Sequence, residues 1–123
     1  MLVGEYCHRE VVAIPRQTGI SEAARLMRQH HVGSLVIVDE NDGRRQPVGI
    51  VTDRDLVIEV LAQDVPIEQL TLEDIMRSPL ETAWEDDSVL DTLQRMRRLG
   101  VRRLPVIDAR GSLSGILAVD DLL

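Results

Sequence analysis

Residues 3–39 read again at residues 72–108 without a gap. Val32 falls on Val101 and Asp39 on Asp108, an offset of 69 (101 − 32, 108 − 39), and Met27-Arg28 falls on Met96-Arg97 and Leu35 on Leu104. The match resumes where GIVTDRD (Gly49–Asp55) faces GILAVDD (Gly115–Asp121), now at an offset of 66 (115 − 49), because the second hairpin loop is shorter. A repeat of this length is one supersecondary unit used twice. Each copy alone leaves an apolar face open. The two are therefore expected to pack on each other, with the seam between them as the place for a ligand.

A chain of 123 residues suffices for one compact body. Its 44% hydrophobic and 28% charged residues suit a globular domain. No apolar run reaches the length of a membrane span, and the N-terminus does not read as a signal peptide. The single cysteine, Cys7, cannot form an internal disulfide, so a reducing cytoplasmic setting is the expectation. Net charge is −7, and all fourteen basic residues are arginine. That balance argues against non-specific nucleic-acid binding, which needs clustered positive charge. It leaves room for a local arginine pocket, whose planar fork suits phosphate oxygens.

The patterning predicts one order of elements in both copies. After a lead-in over Val3–His8, the β-branched run Val11–Ile14 reads as a short buried strand stopped by Pro15. Thr18 is placed to cap a helix with Ile20, Ala23, Ala24 and Met27 on its inner face, closing near Val32-Gly33. Ser34–Val38 is a second strand, Glu40–Gly43 a turn and Pro47–Thr52 a third strand. Asp53–Gln63 is a second helix with Leu56, Val57, Val60 and Leu61 inward. A connector carrying Pro66 leads to a helix-start signal, Thr71 with Asp74. In the second copy Glu81–Ala83 is the strand. Asp86 and Asp87 open a helix with Val89, Leu93 and Met96 inward and Gly100 at its end. Arg103–Ile107 and Leu113–Ala118 are strands around the turn Asp108–Gly111. A last helix begins near Val119, and the chain stops about one turn later; a longer natural chain, or completion by a partner, is expected. The division is repeat one (1–63), connector (64–71) and repeat two (72–123).

The segments HHVGSLVIVD, QPVGIVTDRDLV, LEDIMRSPLETA, RRLGVRRLPVID and GSLSGILAVDDLL, in this order and spacing, resemble the cystathionine-β-synthase (CBS) domain pair, or Bateman module, over nearly the whole chain. The resemblance implies an α+β fold in which tandem βαββα repeats pack as a pseudo-twofold sandwich with two symmetry-related clefts. It also implies a regulatory role. Such modules bind adenosine-containing ligands (AMP, ADP, ATP, sometimes S-adenosylmethionine or NAD), commonly form homodimers, and act inside or beside another protein.

Members of this family contact sugar and phosphate with a strand-to-helix motif, Gly-apolar-x-Ser/Thr-x-x-Asp/Asn. The first copy carries it complete, as Gly49, Ile50, Thr52 and Asp55. A carboxylate can accept hydrogen bonds from both ribose hydroxyls. Thr52, three residues earlier at a helix N-terminus, sits where backbone N–H groups favour phosphate. The same pair also makes a helix cap, and the two roles are compatible. In the second copy Ala118 replaces the hydroxyl, while Asp121 keeps the carboxylate.

The resemblance further implies that a basic pair before the Leu-Pro-Val-Ile-Asp strand reaches phosphates held by the opposite copy. That pair is Arg102-Arg103, against uncharged Gly33-Ser34 in the first copy. One cleft is thus expected to hold Thr52, Asp55, Arg102 and Arg103, and a weaker second cleft Gly33, Ser34, Ala118 and Asp121. Adjacent strand residues face opposite ways, so only one arginine reaches a phosphate directly; Arg103 is the position where the family most often has one. A hydrogen bond to a charged group contributes roughly 1.5–3 kcal/mol, so one competent nucleotide site per chain is expected. A solvated strand end, or ion pairs with nearby acids, is the plainer role for the two arginines. Ile14, Pro15 and Ile50 are candidate walls for adenine, or equally ordinary core.

His8, His30 and His31 lack a ligand-spaced partner set, so no metal site is expected. Cys7 aligns with Met76, which suggests packing. Glu85–Asp87 reads as a solvated helix start, and Trp84, aligned with Pro15, as a wall of the second cleft or a dimer surface. No nucleophile–base–orienter set is present, and an enzyme reading has no footing. The expected function is a sensor of an adenine nucleotide with no obligatory cofactor, passing its signal to an effector protein in trans. The alternative is a ligand-free structural dimerisation module. A nucleic-acid surface through Arg95, Arg97, Arg98 and Arg102 is disfavoured by the acidic chain.

Overall fold

The computed structural model describes residues 1–77 and 80–122. Helix α1 (Val3–Tyr6) opens the first repeat, followed by β1 (Ala13–Ile14), α2 (Ile20–His30), β2 (Ser34–Asn41), β3 (Arg44–Thr52) and α3 (Asp53–Leu56). Helix α4 (Leu72–Ile75) opens the second, followed by β4 (Ala83–Trp84), α5 (Val89–Leu99), β5 (Arg103–Ile107) and β6 (Leu113–Ala118). Each repeat forms a three-stranded sheet, in the orders β1-β2-β3 and β4-β5-β6. The outer strand is parallel to the middle one, with Ala13 beside Val36 and Ala83 beside Val106. Strands β5 and β6 are antiparallel, Arg103 facing Ala118. The fold is therefore mixed α+β with two equivalent sheets.

Two compact units result, and neither is a repeat. One comprises residues 1–11, 40–46 and 81–123; the other comprises residues 12–39 and 47–80. The lead-in helices are exchanged. Val3 N and Gly4 N donate to Asp87 O and Glu85 O at 2.9 Å each, and Leu72 N and Glu73 N donate to Thr18 O and Arg16 O at 2.9 and 3.0 Å. At the offset of 69 these four bonds are two equivalent pairs. Each unit has its own core. Ile14, Ile20, Met27, Leu35, Ile37, Val51, Val60 and Leu72 form one. Val3, Ala83, Val89, Met96, Leu104, Val106 and Leu117 form the other.

Several local expectations are corrected. Gly19, not Thr18, is the N-cap of α2; the Thr18 hydroxyl donates instead to Pro15 O at 2.8 Å, closing the loop after β1. Ala24 is exposed, and the inner stripe is Ile20, Ala23 and Met27. The helix closes at His30-His31, as expected, with His31 in the left-handed region (φ 53°), the place that Gly100 (φ 71°) takes in the second copy. Strands β2 and β3 run further than expected. The turn shrinks to Asp42 and Gly43, both at positive φ (51° and 77°), as a two-residue primed hairpin requires. Pro47 is accommodated because β3 lies at the sheet edge. Beyond α3 the helix widens into π-type turns over Val57–Leu61, with Ala62 N donating to Val57 O at 2.8 Å. The wider turn rotates the apolar face, so Val60 is buried while Val57 and Leu61 stand 50% and 66% exposed, not inward.

Ser88 caps α5, its hydroxyl accepting from Asp91 N at 3.3 Å. Asp86 and Asp87 lie outside that helix, and the Asp87 carboxylate accepts from Trp84 N at 2.9 Å. Val89 and Met96 are buried and Leu93 partly so, as expected. After β6 a single 3₁₀ turn, Val119–Leu122, stands where an α-helix was expected. Among the described residues no helix is long and apolar enough to cross a membrane.

Candidate functional site

Gly49 and Gly115 stand at equivalent points of the repeat, and the structure gives one reason for both. A Cβ on Gly49 would lie 2.5 Å from Met76 Sδ and 3.0 Å from its Cβ. A Cβ on Gly115 would lie 2.6 Å from His8 O and 2.8 Å from Cys7 Sγ. Cys7 and Met76 are themselves equivalent, so each strand opens a gap for the lead-in exchanged from the other copy. Cys7 is thus a packing residue, and burial raises its thiol pKa.

Three residues beyond Gly49 the strand turns into α3. Thr52 is the N-cap: its hydroxyl accepts from Asp55 N at 3.1 Å, and the Asp55 carboxylate (Oδ2) accepts from Thr52 N at 2.9 Å. This reciprocal box satisfies two of the donors that a helix start leaves open. Asp55 is 5% exposed, the only charged residue among the buried ones described. Its other oxygen, Oδ1, faces the Arg77 guanidinium at 3.3 Å. A carboxylate this deep requires such partners. Arg77, from the segment after α4, was absent from the sequence reading. It aligns with His8 at the offset of 69, and only folding brings it to Asp55. Together with Glu59, Asp74, Val65, Leu70 and Ile75 the pair lines an open depression of about 310 Å³.

The same unit holds Gly33, Ser34, Ile14, Pro15 and Ile50. Gly33 O accepts from Asp53 N at 2.9 Å, tying the end of α2 to the start of α3. Ile14 is buried in the core with Ile37, while Pro15 is exposed and Ile50 partly so. The other unit holds Arg102, Arg103 and Ala118. Arg102 O accepts from Val119 N at 3.0 Å, the counterpart of the Gly33–Asp53 bond, and its guanidinium pairs with Asp120. Arg103 is exposed at the start of β5 beside Ala118. The backbone at Asp121 belongs to the 3₁₀ turn; its side chain lies outside the described ones. Arg97 and Arg98 are exposed, whereas Arg95 is half-buried and donates to Thr82 O. Among the described residues no group of His, Cys, Asp and Glu could hold a metal ion.

Comparison with known proteins agrees with this architecture. The family model for the CBS domain matches residues 3–62 and 72–123. An uncharacterized protein of Methanopyrus kandleri is 42% identical over 122 residues, covering 98% of this chain; the chain spans only 60% of that relative's length. Among solved structures, the CBS domain pair of protein MJ0100, in complex with 5′-methylthioadenosine and S-adenosyl-L-methionine, superposes with a TM-score of 0.84 at 30% identity. It covers 99% of this chain and 92% of that one. A CBS domain protein from Pyrobaculum aerophilum complexed with AMP gives 0.86 at 28%, covering 99% and 90%.

Proposed function

The chain belongs to the CBS domain family, and on that footing we propose that it is a regulatory module binding an adenine nucleotide (AMP, ADP or ATP), not an enzyme. The observation that carries this reading is the Thr52–Asp55 turn. A hydroxyl and a buried carboxylate share one turn behind a glycine that keeps the strand close to its neighbour, in the complete form of the family's sugar-contacting motif. Asp55 takes the ribose, Thr52 lies at the phosphate, and Arg102 and Arg103 of the second repeat supply the phosphate's cations. Pro15 and Ile50 offer apolar surface to the base; Ile14 serves mainly the core. The second site, with Gly33, Ser34, Ala118 and Asp121, lacks the hydroxyl and the arginines and is the weaker. The bound ligands of the two solved relatives, AMP and S-adenosyl-L-methionine with 5′-methylthioadenosine, support an adenosine-containing ligand. The signal passes through a homodimer to an effector protein in trans, in the cytoplasm.

One observation favours the alternative, a structural dimerisation module with no ligand. Both Asp55 oxygens are already engaged within the chain. A thermal-shift series separates the two readings. AMP, ADP, ATP, NAD or S-adenosylmethionine at about one hundred times its dissociation constant stabilises the folded chain by about 2.7 kcal/mol. No shift with any of the five leaves the structural module.

A further inference from the structure

We infer that Arg77 decides which ligands the Thr52–Asp55 site accepts: it occupies Asp55 in the empty protein and transfers to the ligand's phosphate when a ribose takes its place. The inference rests on the reading of Asp55 as the ribose acceptor. Of the two Asp55 oxygens, Oδ2 is tied into the helix cap by Thr52 N, and freeing it would unmake the helix start. Oδ1 is the oxygen left for a sugar diol, and Arg77 Nη2 is on it at 3.3 Å. The ribose and Arg77 therefore compete for one acceptor.

The partners are unequal in freedom. The Asp55 side chain is 8% exposed and fixed by its cap, whereas that of Arg77 is 64% exposed. Arg77 is the one that swings away, at little cost in packing. Electrostatics says where it must go. Asp55, Glu59 and Asp74 line the same depression, and Arg77 is the only cation among its described lining residues. An unpaired guanidinium there attracts an anion, and without it the described lining of this depression carries three carboxylates and no cation. A neutral nucleoside must break the Asp55–Arg77 pair and offers Arg77 nothing in return. A nucleotide offers a phosphate, which the guanidinium fork can grip through two N–H groups. Arg77 thus sets a preference for nucleotides over nucleosides from within the same unit as Asp55.

Calorimetric titration of wild type, Arg77→Met and Arg77→Lys with AMP and with adenosine tests this. Wild type is expected to bind AMP more tightly than adenosine. In Arg77→Met the ratio of the two affinities falls by about tenfold or more, the worth of one charged hydrogen bond. Adenosine binding stays unchanged or tightens, because its competitor is gone. Arg77→Lys, which keeps the charge and loses the fork, falls between and remains informative should the methionine variant fold poorly. An unchanged ratio, or equal loss of both ligands, overturns the inference and leaves the nucleotide reading standing. Failure of wild type to bind either ligand overturns the nucleotide reading and this inference together.

Discussion

The turns after β3 and after β6 occupy equivalent places in the repeat and are built differently. Both begin behind a glycine that clears an exchanged lead-in, and both are anchored by the same backbone bond, Asp53 N to Gly33 O and Val119 N to Arg102 O. There the likeness stops. Thr52 and Asp55 close a reciprocal cap and a helix of nine residues follows, α-helical and then π-helical. Ala118 has no hydroxyl to accept with. The first turn also gains Arg77. Backbone architecture is duplicated where packing demands it. Among the described residues, the reciprocal cap and its arginine partner occur in the first turn only.

The shared part of the comparison carries the largest expected effect. Gly115→Ala pushes a methyl into the carbonyl of His8, whose backbone exchanges two hydrogen bonds of 2.9 Å with Ile116. Backbone held that way cannot step aside, and overpacking of this kind costs typically 1–3 kcal/mol. Gly49→Ala meets the flexible Met76 side chain instead, and methionine adapts. Urea denaturation should place Gly115→Ala near the upper end of that range and Gly49→Ala near the lower. Equal losses would break the account of why the two glycines are there.

The part that differs comes next. Thr52→Ala should cost about 1 kcal/mol through the lost cap and weaken AMP. Ala118→Thr supplies the missing acceptor and should recover no more than that amount, measured by the same denaturation series. Calorimetry on wild type should count one AMP per chain. Two equal sites would show that the unequal turns do not translate into unequal binding.

Much of this was legible from the repeat alone. The bounds of β5 and β6, the order of the other strands, the inner stripe of α5, Gly100 as a helix end and the packing role of Cys7 all follow from periodicity and alignment, whereas β1 is shorter than Val11–Ile14 and β4 is shifted from Glu81–Ala83 to Ala83–Trp84. Two of the exceptions, Thr18 and Arg77, depend on a partner far away in sequence, and a third on a local change of helix type. Thr18 does not cap α2, because the loop it sits in is held by the exchanged α4, with Leu72 N on Thr18 O. Val57 and Leu61 face out because the helix widens to π-type turns, which a period of 3.6 does not anticipate. Arg77, like Thr18, takes its role from a distant partner. Nothing around Met76-Arg77 marks it as a site residue, and its partner Asp55 is 22 positions away. Aligning it with His8 places it at the end of a lead-in; the exchange of lead-ins gives that place its meaning.

The smallest effect concerns a pair that one copy has and the other cannot have. Arg16 donates to both oxygens of Asp39, at 3.0 and 2.6 Å, joining the loop after β1 to the end of β2. The equivalent positions are Glu85 and Asp108, two acids. Glu85 pairs instead with Arg9 at 3.1 Å, and Asp108 turns its carboxylate onto Arg110 N and Ser112 N at 2.9 and 3.0 Å. The hydrogen bond from Arg16 lowers the Asp39 pKa below its ordinary 3.8. A carboxylate lowered on folding stabilises the folded state above its unfolded pKa, and that stability is lost as pH falls through the folded value. The two side chains are still 26% and 35% exposed, so the effect is small and partly screened by salt. Asp39→Asn should therefore be slightly less stable than wild type at neutral pH, with the gap closing only below about pH 3.8. Urea midpoints of the two proteins from pH 7 downward measure it. A gap that stays constant down to the lowest pH would mean that Asp39 holds its place by packing, and that the two copies differ at this corner in shape and not in charge.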